Sequence, residues 1–97
     1  MGVERAIHAK KNGQEIILYC RICNKELSRE YYNRRGEQQQ LTVNNCEHYQ
    51  WIFVWEVFLD YPWIDVIRET IDNAVAEVDG NGGKYFLFPR DFVEKHL

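Results

Sequence analysis

Cys20-Arg21-Ile22-Cys23 and, after twenty-two intervening residues, Cys46-Glu47-His48 are the two short segments around which the rest of the chain can be understood. They hold all three cysteines of the 97-residue chain and one of its three histidines. Two close pairs separated by a loop-sized gap are how a single tetrahedral zinc is usually held. Cys20, Cys23, Cys46 and His48 are therefore the candidate ligands of one structural Zn²⁺. A chain of this size buries only about two-thirds of the surface its unfolded form exposes, so such a metal would matter to its stability.

The local chemistry agrees with that reading. In a Cys-x-x-Cys turn the residue after the second cysteine often adopts the left-handed conformation, and Asn24, the most tolerant residue after glycine, stands there. Lys25 would bring a cation near the thiolates and favour their deprotonated form. Ile22 suits a cover over the metal. In Cys46-x-His48, side chains two apart in an extended segment share a side, so both can reach one ion while Glu47 points away. Three thiolates and one imidazole suit zinc better than a four-thiolate iron site. The order of the residues does not match the His-x-Glu and Pro-Cys-x-x-Cys signature of zinc deaminases.

Working outward, residues 4–19 read as a β-hairpin turning at Asn12-Gly13 and delivering Glu15–Tyr19 into Cys20. His8 reads as an exposed strand residue. Lys25–Asn33 and Gln38–Val43 read as strands joined by a turn at Arg34-Arg35-Gly36-Glu37. Tyr49–Phe58 is apolar on both faces, which predicts a central strand, its aromatics spent on core packing rather than on stacking bases. Pro62 then opens a predicted helix in which Trp63, Val66, Ile67, Thr70, Ile71, Ala74, Val75 and Val78 form one apolar stripe. Its opposite face is mainly acidic. Asp79–Gly83 stops that helix, Lys84–Phe88 reads as a strand, and Pro89 opens a short terminal helix that leaves His96 exposed.

Composition bounds the rest. An apolar content of 45%, with 14% aromatic residues, is ample for a core. The length suggests one domain over 1–97, with residues 60–97 completing the core. No apolar run is long enough for a membrane span, and the N-terminus shows no signal core, with Ala6 where a myristoylation motif wants Ser or Thr. The odd cysteine count argues against a disulfide framework, and these observations point to a reducing, cytoplasmic setting. Residues 1–48 carry 8 Lys/Arg against 6 Asp/Glu, and residues 49–97 carry 4 against 9, so a mildly basic half precedes an acidic one.

The Cys20/Cys23 and Cys46/His48 arrangement resembles a zinc ribbon over residues 15–58. The resemblance implies two knuckles clamping a small antiparallel sheet. The usual proline and glycine companions are absent and the second pair has one spacer, which leaves a treble-clef topology as the alternative. The expected architecture is α+β: a zinc-ribbon-like antiparallel sheet with one long amphipathic helix packed on it, and a short C-terminal helix. Zinc ribbons recur in transcription, translation and RNA processing and as adaptors, so the resemblance raises a nucleic-acid role through Arg21, Lys25, Arg29, Arg34 and Arg35. Overall acidity opposes that role, because phosphate contacts need clustered cations. A protein partner or self-association is the favoured expectation, with no membrane. Catalysis is not expected, because four protein ligands close the zinc shell. A thiol redox role for Cys20 and Cys23 lacks the helix-start context such motifs use.

Overall fold

The structure is a computed structural model describing residues 7–60 and 65–97, with the backbone alone for residues 7–12. The readings at Ala6, the His8 side chain, Pro62 and Trp63 fall outside the described residues. The chain divides into two compact units, Met1–His48 and Tyr49–Leu97. That boundary coincides with the change from net basic to net acidic sequence.

The first unit is a four-stranded antiparallel meander in the order β1 (Ile7–Asn12), β2 (Glu15–Cys20), β3 (Glu26–Tyr32) and β4 (Gln38–Val43). The first hairpin closes with Asn12 paired to Glu15, so its two-residue loop is Gly13-Gln14, one residue later than the sequence suggested. Gly13 takes φ +63°, a glycine-first arrangement that follows the strand twist. Between β3 and β4, the Asn33 side-chain oxygen accepts from the backbone N–H of Arg35 and of Glu37, each at 2.9 Å, and fixes the predicted turn.

Among the described side chains, this unit buries few apolar ones. Ile17, Leu27, Cys20 and Cys46 are its buried hydrophobic residues among those described, joined by the polar Ser28 and Glu30. Glu30 is satisfied: its carboxylate accepts from the Tyr32 hydroxyl at 2.7 Å and from Gln38 Nε2 at 3.0 Å. The Ser28 hydroxyl has no hydrogen-bond partner among the described residues. Burying an unpaired hydroxyl is costly, so Ser28→Ala is expected to leave stability unchanged or raise it by up to ~1 kcal/mol in denaturant unfolding. A loss larger than that would show that the hydroxyl holds a partner.

The second unit corrects the expected architecture. Its strands β5 (Tyr49–Trp55), β6 (Ala76–Gly80) and β7 (Gly83–Pro89) form a separate antiparallel sheet in the order β5-β7-β6. Among the described residues the fold is mostly β, with two sheets and three short helices, α1 (Glu56–Leu59), α2 (Asp65–Ile71) and α3 (Arg90–His96). The described residues contain no long amphipathic helix: α2 and α3, the longest, have seven residues each. The predicted helix through Val78 stops at Ile71 for a visible reason. Asn73 Nδ2 donates to the Glu69 carbonyl at 2.9 Å, and the Asn73 and Ala74 amides fold back to Thr70 and Ile71. The Val75 amide then bonds to the Leu87 carbonyl at 2.8 Å and commits the chain to the sheet. Beyond it, Val78 is buried and Glu77 and Asp79 are exposed, the alternation of a strand.

The central strand is β7, not the aromatic β5. Phe86, Leu87 and Phe88 are consecutive and all buried, as a strand covered on both faces requires. Strand β5 borders it along seven register pairs from Tyr49↔Pro89 to Trp55↔Gly83. Phe53 packs on Tyr85 with ring centroids 4.8 Å apart, and Phe92 of α3 stacks on Phe88 at 5.5 Å. The expected short C-terminal helix is present, and His96 lies exposed at its end beside Phe92.

Candidate metal centre

Strand β2 ends at Cys20, and the chain turns back into β3 through a tight knuckle. The Asn24 amide donates to the Cys20 carbonyl at 2.7 Å, and the Cys20 amide donates to the Lys25 carbonyl at 3.0 Å. Closing so small a loop demands a left-handed residue, and Asn24 supplies it with φ +64°. Across the sheet, the Asn44 amide bonds to the Leu27 carbonyl at 2.9 Å and brings the chain after β4 back beside β3. Cys46 and His48 follow at once. Two segments distant in sequence are thus set side by side by ordinary strand pairing.

The ligand atoms of Cys20, Cys23, Cys46 and His48 all lie within 4.8 Å of one another. Cys20 Sγ stands 3.7 Å from His48 Nδ1. Bond lengths of ~2.3 Å to sulfur and ~2.0 Å to nitrogen in a tetrahedron put those atoms ~3.6 Å apart, so the observed spacing fits one shared ion. The three cysteines are free thiols, with no disulfide among them. Cys20 and Cys46 are buried, His48 is half-buried and Cys23 is exposed. The four residues are positioned to bind one metal ion.

Backbone donors prepare the sulfurs for that charge. The His48 amide points at Cys46 Sγ from 3.3 Å. Cys23 is held down from an ordinary 9.0 to about 7, first by the Lys25 backbone N–H, then by His48, with Cys20 and Cys46 assisting against the opposing effect of burial. Lys25 therefore acts through its amide, where the sequence had suggested its cation. A depressed thiol contributes stability that is present above its unfolded value and is lost as the pH falls through about 7. Protons and metal compete for the same sulfur. Metal affinity, measured against a chelator of known strength, is expected to steepen its fall by about one power of ten per pH unit below pH ~7 as Cys23 takes up its proton. A Cys23→Ser variant with the same metal affinity and the same pH profile would remove Cys23 from the ligand set.

The remaining sequence candidates do not converge on the site as a group. Glu47 is exposed, in keeping with its expected outward aim, and Ile22 is 62% exposed, so it is no lid over the sulfurs. Arg29 is committed to structure. Its guanidinium grips Glu26 at 2.8 and 3.2 Å and both oxygens of Glu15 at 3.1 Å, which raises its already high pKa. Arg21 and Lys25 lie exposed in the knuckle, and Arg34 and Arg35 lie exposed at the β3–β4 turn. No helix among the described residues is long and apolar enough to cross a membrane. Comparison with protein-family models, with curated proteins and with solved structures found no match.

Proposed function

We propose that Cys20, Cys23, Cys46 and His48 hold one structural Zn²⁺, and that the chain is a non-catalytic module for protein–protein assembly. The observation that carries the metal is the four-atom cluster within 4.8 Å, made of three thiols and one imidazole. That donor set favours zinc over harder ions, and four protein ligands leave no position for a reacting water. The metal then serves folding. Elemental analysis of protein purified without added metal, alongside a thiol count, tests the proposal directly. One zinc per chain with all three thiols protected supports it. No metal and a reactive Cys20–Cys23 pair would replace it with thiol redox chemistry.

The assembly reading rests on charge and exposed apolar surface. The acidic second unit repels phosphate, while Trp55, Val57, Phe58, Val66 and Leu97 stand exposed there. Arg29 is already spent on two carboxylates, which thins the basic patch to Arg21, Lys25, Arg34 and Arg35. The full chain is expected to leave DNA and RNA unretarded in gel shifts at low salt. A salt-dependent shift abolished by Arg34→Glu with Arg35→Glu would overturn assembly in favour of nucleic-acid binding.

A further inference from the structure

The three helices of the second unit share an unusual property: none of α1, α2 or α3 contains a buried residue among those described. An amphipathic helix ordinarily gains its stability by burying one face, but here Ile67, Ile71, Phe92 and Val93 are only half-buried and Val57, Phe58 and Val66 are exposed, which leaves a partly uncovered apolar surface. Its centre is a groove of about 330 Å³ whose lining includes Ile52 and Val54 of β5, Phe58 of α1, Val66 and Ile71 of α2, and the terminal Leu97. The described lining is apolar except for Thr70, whose hydroxyl is already donated to the Val66 carbonyl at 2.8 Å. Val66 is 75% exposed, Leu97 59% and Trp55 56%. Among the described residues, nothing polar in the groove invites a small polar ligand.

Charge narrows the occupant. Phe58, Ile67 and Ile71 also line a neighbouring cavity of about 580 Å³, whose walls carry Glu56, Asp60, Asp72, Glu77 and Asp79. Two cations share those walls, and both are engaged. Lys84 lies 3.8 Å from Glu77 and 3.7 Å from Asp79, and Arg68 donates to the Leu59 carbonyl at 3.0 Å. Glu56, Asp60 and Asp72 form no ion pair among the described residues. An apolar trough thus adjoins a wall with carboxylates to spare.

We infer that this groove takes a basic amphipathic peptide segment of a partner protein, its apolar side chains in the trough and its Lys or Arg side chains over Glu56, Asp60 and Asp72. The inference deepens the assembly reading and rests on it. A segment presenting apolar anchors at i, i+4 and i+7 matches the helix-in-groove mode, in which burial supplies affinity. The carboxylates supply selection against acidic segments of the same apolar pattern.

The test titrates the full metal-loaded chain into a labelled synthetic peptide with leucines at those positions flanked by lysines, read by fluorescence anisotropy. A second peptide carries glutamates in place of the lysines. The lysine peptide is expected to bind at least about ten-fold more tightly, with the difference shrinking at high salt. Val66→Glu should abolish binding, and Asp60→Lys with Asp72→Lys should erase the preference; both sites are exposed, so metal content and melting temperature should hold. Equal binding of the two peptides, no binding by a chain that retains its metal, or loss of the groove to self-association in sedimentation would each overturn the inference. A chain that lacks metal fails the zinc reading instead, and the metal assay separates the two failures.

Discussion

Removal of the metal by a strong chelator, or Cys46→Ser, is expected to unfold the first unit at physiological temperature. The argument is one of scale. Apart from Cys20 and Cys46, the buried hydrophobic residues described there are Ile17 and Leu27. Fully burying an aliphatic side chain contributes ~1.5–3 kcal/mol, and ordering each residue costs about as much, so the fully buried apolar side chains described here leave this sheet a thin margin. Structural zinc contributes an apparent ~10–16 kcal/mol at neutral pH, comparable to the whole ~5–15 kcal/mol stability of an ordinary domain. A bound ion would also join the β2–β3 knuckle to the chain after β4, a closure that strand pairing alone would otherwise have to maintain. Amide exchange reads the result: protection at Leu27 and Ser28 should vanish with the metal and return when zinc is restored. A chelated protein with unchanged melting temperature and exchange would remove the metal from the folding account.

The candidate metal site was legible because its chemistry is local. Sulfur and imidazole at short spacings have few other uses in a reduced chain, and Asn24 marks the left-handed turn by its residue type and its place after Cys23. The first four strands were legible for a similar reason, since turn residues such as Gly13 and Gly36 act within a few positions of themselves. Strand β6 was hidden by an accident of periodicity. Ala74, Val75 and Val78 continue the helical steps of Val66, Ile67 and Ile71, yet Ala76 and Val78 also alternate with Glu77 and Asp79 as a strand does. What decides between the two is Leu87, whose carbonyl takes the Val75 amide from across the sheet. No local pattern announces that bond. The Asn81-Gly82 pair was the available signal, because two residues of that type between apolar segments mark a hairpin as readily as they end a helix. Strand β5 misled for a different reason. Its two apolar faces suggested a central place, but in its own sheet that place belongs to Phe86–Phe88 of β7, and the apolar surface of β5 instead lines the groove beside α1 and α2.

Gly83→Ala is expected to be the most damaging single substitution in the second unit, lowering its stability by ~3 kcal/mol or more. Gly83 occupies the one end of the sheet where three strands meet, paired with Trp55 on β5 and with Gly80 on β6. A Cβ there would press on the Val54 carbonyl oxygen closer than real Cβ contacts come, with the Phe53 ring at 2.8 Å and the Trp55 Cα at 3.0 Å. Two of those neighbours are backbone, which cannot rotate aside as a side chain does, so relief requires β5 to leave β7. The cost is one of space, since Gly83 has no left-handed φ. Gly36 provides the opposite case: φ +82° with nothing within 4 Å, where alanine meets only the conformational penalty of ~1–2 kcal/mol. Thermal melts of the two variants separate the mechanisms. Gly83→Ala should lose the near-UV signal of the Phe53–Trp55–Tyr85 cluster while keeping its metal, because all four ligands belong to the other unit. A Gly83→Ala protein that melts no lower than Gly36→Ala would mean that β5 yields at this point, and the close approach of the three strands would no longer explain the glycine.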